Sequence, residues 1–125
     1  MTSMLVNGAL APQMAVPATV IYKDPPALAQ VNAKQVARAL LTDKSYKCLT
    51  LLLGKESAWN AAAKNPTSSA SGIGQLLDST YRNLGMKKSK DSVPQLVATL
   101  AYIGRKYGSG GTCAAWTHFK KHKWY

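Results

Sequence analysis

With 16 lysines and arginines against five acidic residues, this chain of 125 residues is short and strongly basic, at a net charge of +11. The length supports one folded domain, because two separate cores would each be too small to offset the entropy of the ordered chain. The charge favours a polyanionic partner, namely nucleic acid, anionic lipid or an anionic cell wall, and does not choose among them.

The N-terminal segment, residues 1–28, is expected to be an extended arm. It contains four prolines and few charges, and no helical period is sustained in it. Its "ATVIY" is compatible with a short strand. The segment has neither the basic start nor the unbroken apolar run of a secretory signal, and it is too often interrupted to form a transmembrane helix.

Residues 29–125 are expected to form a mainly α-helical domain. A first helix is predicted within "ALAQVNAKQVARALL", residues 27–41, where apolar residues recur at helical spacing. These apolar residues are Leu28, Val31, Val36, Ala39 and Leu40. A second helix is predicted from about 45 to 58, with Asp43 or Ser45 as its N-cap.

The only glutamate of the chain lies on this second helix, within "LLLGKESAWN". At about 100° per residue, Glu56 shares a narrow arc of the helix with Leu49, Leu52 and Leu53. A carboxyl group in such a place loses contact with water, which raises its pKa and keeps it protonated near neutral pH. That property suits a general acid in glycoside cleavage. A purely structural glutamate that reaches solvent from the edge of an apolar stripe is the alternative.

Three further elements follow in the chain. Residues 60–75 are rich in small residues, Asn, Pro and Gly, and are predicted to form a loop or rudimentary hairpin that passes the second helix. A short helix is predicted at "STYRNL", with Asp78 or Ser79 as its N-cap and Gly85 as its C-cap. "SVPQLVATLAYIGRKYG" is predicted to be a helix that Ser92 caps. "GTCAAWTHFKKHKWY" is predicted to be a last helix that frays at its basic end.

The stretch "ESAWNAAAKNPTSSASGIGQ", Glu56 to Gln75, resembles the signature of the lysozyme-like lytic transglycosylases. In that family a helix ends in Glu-Ser, an aromatic residue and Asn follow, and a loop of small residues closes on Gly-x-x-Gln. The stretch is most similar to compact actinobacterial or phage domains that read E-S-x-W-N, N-P-[ST]-S and G-I-x-Q. Later segments of the family also resemble this chain, so the resemblance covers about residues 45–125. It implies a small lysozyme-like α domain with at most a rudimentary β-hairpin.

The resemblance implies that Glu56 is the single catalytic acid and base for the β-1,4 bond between N-acetylmuramic acid and N-acetylglucosamine in peptidoglycan. Glu56 would protonate the glycosidic oxygen and then take the proton of the muramoyl C6 hydroxyl, which attacks C1 and leaves a 1,6-anhydro sugar. The alternative is a hydrolytic lysozyme, which needs a second carboxylate. Its candidates are Asp24, Asp43, Asp78 and Asp91. Asp78 is nearest to the loop, although a helix cap is its favoured role.

The resemblance also places other side chains in a glycan cleft. The predicted substrate-binding residues are Ser57, Ser71, Gln75, Tyr102 and Trp116. The chain departs from the family at two points: Asp78 stands where the family usually has proline, and Trp116 stands where it commonly has the tyrosine of Ala-Tyr-Asn. Trp59 is expected to lie in the core rather than under a sugar.

Cys48 and Cys113 lie 65 positions apart and match no metal or redox spacing. Buried free thiols and a disulfide both fit the residues alone, and the cysteines found in compact members of the family favour a disulfide. His118 and His122 have a spacing that can bind zinc, but no third ligand is evident and a solvated basic helix is favoured. No metal and no cofactor are predicted.

The predicted partner is therefore the glycan strands of peptidoglycan. Nucleic acid is not favoured, because the aromatic residues are not interleaved with the lysine clusters as a stacking platform requires. A structural virion protein is a further alternative. The expected location of this bacteriolytic, antimicrobial activity is a phage virion or the cell wall after release at lysis, with secretion as the alternative. Residues 1–28 are the segment expected to contact other virion proteins.

Overall fold

The computed structural model describes residues 31–125, in which five α-helices and a short 3₁₀-helix follow one another. The helices are α1 (Ala33–Leu40), α2 (Asp43–Glu56), α3 (Asp78–Leu84), α4 (Ser92–Tyr107), the 3₁₀-helix Gly108–Gly110 and α5 (Gly111–His122). The mainly α-helical fold is thus confirmed. The arm predicted for residues 1–28, its strand and the domain boundary lie outside the described residues.

Two isolated antiparallel bridges hold the segment between α2 and α3. Lys64 pairs with Ser71, and Ser71 pairs with Leu76. No strand forms within residues 31–125, so the β-structure of this region stays as rudimentary as expected. We call residues 60–76 the hairpin loop.

The first helix differs from its prediction in start and in buried face. Asn32 caps α1: its Oδ1 accepts a hydrogen bond of 3.0 Å from the backbone nitrogen of Gln35, whose side chain accepts one of 2.9 Å from Asn32 in return. The buried residues are Ala33 and Ala37, whereas Leu40 is 66% exposed. Of the predicted apolar stripe, Val36 is half-buried and packs against the core, whereas Val31, Ala39 and Leu40 are exposed, so the prediction was wrong at these three positions. Leu28 lies outside the described residues.

The second helix begins two residues earlier than predicted. Thr42 is the N-cap of α2, since its hydroxyl accepts a hydrogen bond of 3.1 Å from the nitrogen of Ser45. Neither Asp43 nor Ser45 is the cap; both lie in the first turn. The buried face carries the three leucines that the helical period indicated: Leu49, Leu52 and Leu53.

Neither α3 nor α4 has a side-chain cap. Asp78 is the first residue of α3, and Leu77 occupies the cap position without a side-chain hydrogen bond. Ser92 is likewise the first residue of α4, and its hydroxyl instead accepts a hydrogen bond of 3.3 Å from the nitrogen of Ala33 in α1. Gly85 ends α3 in the left-handed conformation, with φ 67°, as its residue type indicated.

Helix α5 packs against both α2 and α4. A disulfide joins Cys48 of α2 to Cys113 of α5, with Cα atoms 4.9 Å apart. Beside it, the hydroxyl of Thr112 donates a hydrogen bond of 2.8 Å to the carbonyl of Ser45. These two links fix the position of the helix that ends at Glu56. None of the helices in residues 31–125 combines the length and apolarity that a membrane crossing requires.

The C-terminal segment does not fray, contrary to the prediction. The chain turns at Lys123, which has φ 69°, and returns the side chain of Tyr125 into the core, where this residue is 9% exposed. The phenol of Tyr125 donates a hydrogen bond of 2.6 Å to the carbonyl of Gly74 in the hairpin loop. The phenol of Tyr102 donates one of 2.7 Å to the carbonyl of Tyr125. Residues 123–125 are therefore part of the fold.

Candidate active site

An open cleft of about 390 Å³ lies where the end of α2 meets the hairpin loop, α4 and the C-terminal segment. Glu56 lines this cleft. The other lining residues come from three parts of the chain: Asn65, Ala70, Gln75, Leu76, Leu77 and Thr80; Tyr102 and Lys106; and Lys123, Trp124 and Tyr125.

Glu56 is the last residue of α2, and its side chain is partly buried. Burial raises the pKa of its carboxyl from 4.5 to about 7, because the charged form loses hydration in this position. The one ion pair of residues 31–125 joins Lys88 to Asp78, so within that range no cation is paired with Glu56. Near neutral pH the group is therefore present in both its protonated and its ionised form.

The backbone after Glu56 forms a strained turn. Ala58 and Trp59 have φ of 53° and 61°, a left-handed conformation that costs non-glycine residues about 1 kcal/mol or more each. The hydroxyl of Ser57 donates a hydrogen bond of 2.6 Å to the carbonyl of Ile73, which ties the end of α2 to the hairpin loop. Trp59 is half-buried against the core, where it was expected. The turn and this bond together fix where the Glu56 carboxyl points.

Gln95, a buried residue of α4, holds the hairpin loop in place. Its Oε1 accepts a hydrogen bond of 2.9 Å from the nitrogen of Ile73, and its Nε2 donates to the carbonyls of Ala61 and Ser89 at 3.1 and 2.9 Å. Gly72, with φ 78°, lies so close that an added Cβ would be 2.6 Å from the Gln95 amide carbon. Both the positive φ and the lack of space for a Cβ require glycine at this position.

Gln75, one of the predicted substrate-binding residues, lines the cleft and also closes the hairpin loop. It has φ 51°, and its Nε2 donates hydrogen bonds to the carbonyls of Gly72 and Ala63 at 2.9 and 3.2 Å. Both protons of the amide nitrogen are thereby used within the loop. The amide oxygen is the atom left to accept a hydrogen bond from a ligand.

Tyr102 lines the cleft within a cluster of aromatic and cationic side chains. Its hydroxyl accepts a hydrogen bond of 3.0 Å from Nζ of Lys106, and that Nζ lies 4.5 Å from the ring centroid of Trp124. Trp124 is 54% exposed. Lys106, Trp124 and Tyr125 were not among the predicted site residues. The aromatic pair Trp124 and Tyr125 was a signal in the sequence, but it lies in the segment predicted to be a fraying helix, and no pattern indicated Lys106.

Three predicted substrate-binding residues do not line this cleft. The hydroxyl of Ser57 is engaged with the hairpin loop, and Ser71 lines a different cavity. Trp116 lies on α5, where its ring stacks on Phe119 with 5.9 Å between centroids and packs against the core. Trp124 is the tryptophan that the fold brings to the cleft.

The described aspartates also lie outside the cleft lining. Asp78 is half exposed, and its carboxylate forms an ion pair of 2.6 Å with Lys88. Asp43 and Asp91 are exposed at the starts of α2 and α4. Within residues 31–125, Glu56 is therefore the only acidic residue that lines the cleft.

The two histidines brace the C-terminal segment. The rings of His118 and His122 lie 4.3 Å apart, and Nδ1 of His118 is 2.8 Å from the carbonyl oxygen of Trp124. In the part of the chain that the structure describes, no three potential metal ligands come together.

Comparison with known protein families matches residues 36–107 to the Transglycosylase SLT domain. The matched span contains Glu56, the hairpin loop and Tyr102, and it covers more than half of the chain. No curated protein and no solved structure gives a significant match. Because the match covers more than half of the chain and includes Glu56, the chain belongs to the transglycosylase SLT family and is a lytic transglycosylase, an enzyme that acts on peptidoglycan.

Proposed function

We propose that the enzyme cleaves the β-1,4 bond between N-acetylmuramic acid and N-acetylglucosamine with Glu56 as its sole acid and base, leaving 1,6-anhydro ends. One observation carries this proposal. Glu56 is the only acidic residue of residues 31–125 that lines the cleft, and burial raises its pKa to about 7. A single group with this pKa can both give and take a proton near neutral pH.

The reaction needs both properties in turn. Protonated Glu56 gives its proton to the glycosidic oxygen as the bond from that oxygen to C1 of the muramoyl sugar breaks. The resulting carboxylate accepts the proton of the C6 hydroxyl of the same sugar, whose oxygen forms a new bond to C1. Glu56 ends protonated, as it began. The acetamido group of the substrate can stabilise the positive charge that develops at C1, so no second carboxylate is required.

The other walls of the cleft supply what a glycan needs. The amide oxygen of Gln75 can accept a hydrogen bond from the N–H of an N-acetyl group. Tyr102 and Trp124 add aromatic surface for a sugar ring. These contacts would orient the glycan strand with its scissile bond at Glu56.

The test is product analysis with two matched carboxylate variants. Purified peptidoglycan is digested with the wild type, with Glu56→Gln and with Asp78→Asn, and the released muropeptides are identified by mass. We expect 1,6-anhydro products from the wild type and from Asp78→Asn, and a loss of at least 100-fold in rate for Glu56→Gln. Products of the wild type that carry reducing ends would overturn the proposal of 1,6-anhydro ends and would indicate a hydrolytic lysozyme. Loss of activity in Asp78→Asn would overturn the role of Glu56 as sole acid and base.

For its location, we propose a phage virion or the cell wall after release at lysis, with secretion as the alternative. The disulfide between Cys48 and Cys113 supports a place of action outside the cytosol, because disulfides persist in oxidising surroundings. The net charge of +11 supports attraction to anionic wall polymers. Mass spectrometry of purified virions and of culture supernatant tests this, and finding the protein only in intact cells would contradict it.

A further inference from the structure

A second cavity, of about 460 Å³, shares the hairpin loop as a wall with the cleft of Glu56 but has no lining residue in common with it. Lys64 and Ser71, which pair with each other, line this cavity, whereas their chain neighbours Asn65 and Ala70 line the cleft. Neighbouring residues of an extended chain point to opposite sides. The two cavities therefore lie on opposite faces of one thin loop.

The second cavity has an apolar floor and a cationic rim. Its lining consists of Ala61, Ala62, Ala63, Lys64, Ser71, Lys88, Ser89, Lys90 and Gln95, with no acidic residue among them. Lys88 is neutralised by its ion pair with Asp78. Lys64 and Lys90 are exposed, and no ion pair of residues 31–125 includes either of them. Two ammonium groups beside alanine methyl groups favour a small ligand that is partly apolar and carries negative charge.

The shape of this cavity is fixed before any ligand arrives. Gln95 forms part of the lining. It donates hydrogen bonds to the carbonyls of Ala61 and Ser89, two residues that also line the cavity. Lys88 reaches the carbonyl of Ser69 at 3.4 Å as well as Asp78 at 2.6 Å, so its side chain is held in one place. A preformed cavity binds its ligand without the free-energy cost of ordering a loop.

We propose that this cavity binds the stem peptide of peptidoglycan, with its alanine methyl groups on Ala61–Ala63 and its free carboxylates at Lys64 and Lys90. The inference rests on the proposed function, because the peptide is attached to the muramoyl sugar whose bond Glu56 cleaves. Four extended residues reach roughly 13 Å, which exceeds the roughly 10 Å thickness of a layer of extended chain. A peptide that leaves the cleft can therefore pass over the hairpin loop into the second cavity.

Direct binding tests this site separately from the chemistry. The probe is the synthetic tetrapeptide L-Ala-γ-D-Glu-L-Lys-D-Ala, added to the inactive Glu56→Gln protein and followed by backbone amide NMR. We expect saturable shifts at Ala62, Lys64 and Ser71, and about fivefold weaker binding when Lys64→Gln and Lys90→Gln are combined. Because no cleavage is involved, a negative result here leaves the role of Glu56 untouched.

The matched control combines Lys47→Gln with Lys121→Gln, which removes the same charge at two exposed positions that line neither cavity. We expect this control to bind the peptide as the parent does. Equal weakening by the control would overturn the proposal, because it would show attraction to net charge alone. Shifts caused by poly(glycerol phosphate) but not by the tetrapeptide would overturn it too, in favour of a phosphate polymer of the wall.

Kinetics on two substrates supply the second readout. We expect the wild type to have a KM about fivefold lower on peptide-bearing glycan than on glycan stripped of its peptides by an amidase. The combined Lys64→Gln and Lys90→Gln protein should lose that difference while its kcat on stripped glycan is unchanged. Equal KM values of the wild type on both substrates would overturn the proposal.

Discussion

Tyr125 donates a hydrogen bond of 2.6 Å from its buried phenol to the carbonyl oxygen of Gly74, which lies 51 positions earlier in the hairpin loop. Burial raises the pKa of this phenol well above its ordinary value, and the nearby carboxylate of Glu56 adds to the rise, so the group stays protonated and can donate. The family match ends at Tyr107. A wall of the cleft is thus held by a residue outside the matched span.

Removal of the phenolic hydroxyl of Tyr125 should destabilise the fold. In Tyr125→Phe the carbonyl of Gly74 loses its buried donor, and we expect the free energy of unfolding to fall by about 1–2 kcal/mol. Urea denaturation measures it. Tyr46→Phe is the control, because the half-buried ring of Tyr46 contacts the guanidinium of Arg38 through its face, 5.0 Å from the centroid. An equal loss in both variants would show that the bond to Gly74 contributes nothing specific.

Replacement of two glycines by alanine should change the stability of the fold in opposite directions. A Cβ at Gly74 would collide with Oγ1 of buried Thr99, so we expect Gly74→Ala to lose about 2 kcal/mol or more of stability. Gly54 lies within α2 with nothing near its added Cβ, so Gly54→Ala should gain up to about 1 kcal/mol. Thermal unfolding of both proteins checks this pair. A stable Gly74→Ala would show that Thr99 can move away.

The buried carboxyl of Glu56 should make stability depend on pH. Its pKa is raised from 4.5 to about 7 in the folded protein, so between these pH values the folded state keeps a proton that the unfolded state has released. Stability therefore falls as the pH rises through this window. We expect Glu56→Gln to be more stable than the wild type by about 1–2 kcal/mol at pH 8, since partial exposure screens the full effect.

Urea denaturation of both proteins at pH 4 and pH 8 measures this difference, with the pH 4 values as the internal reference. Near pH 4 the carboxyl is mostly protonated in both states, so the advantage of Glu56→Gln should be absent there. An advantage that is the same at both pH values would show that the pKa of Glu56 is not raised in the folded protein.

Activity should fall on the alkaline side of about pH 7. If Glu56 must begin protonated, kcat/KM declines about tenfold for each pH unit above its pKa. Initial rates of muropeptide release between pH 5 and pH 9 give the profile. Asp78→Asn should keep the same alkaline limb, because Asp78 lies outside the cleft. A rate that stays constant to pH 9 would contradict the proposed protonation state.

Reduction of the disulfide should cost about 4 kcal/mol in the chain-entropy model, since Cys48 and Cys113 close a loop of 65 positions. Urea denaturation with and without a reductant measures the loss. The variant in which both cysteines are replaced by serine should unfold at the same lower urea concentration in either condition. A wild type that is insensitive to reductant would show that the bond contributes little.

The sequence predicted the partial burial of Glu56 and its raised pKa well, because the relevant signal is local. Glu56 shares one helix face with Leu49, Leu52 and Leu53, and a helix has a fixed period. For α1 the period was right for Val36, which packs against the core, but Leu40 is exposed and two alanines form the buried face. The cap of α2 was predicted wrongly, because Thr42 precedes two residues of equally good capping type.

The rest of the cleft depends on contacts that no local pattern indicates. Tyr125 reaches the core only because Lys123 adopts a left-handed conformation, which is uncommon for a lysine. The same turn brings Trp124 to the cleft, whereas Trp116, one of the two aromatic residues predicted to bind substrate, packs against Phe119. Asp78 was predicted to cap a helix and instead pairs with Lys88 across a loop.

The cleft is lined by residues from the end of α2, the hairpin loop, α4 and the C-terminal segment, so its parts span 70 residues of chain from Glu56 to Tyr125. Within residues 31–125, no single helix or hairpin supplies all of these lining residues. Glycan cleavage should therefore appear only when the whole domain has folded, in one cooperative step. A nascent or partly unfolded chain of this wall-degrading enzyme is therefore expected to be inactive.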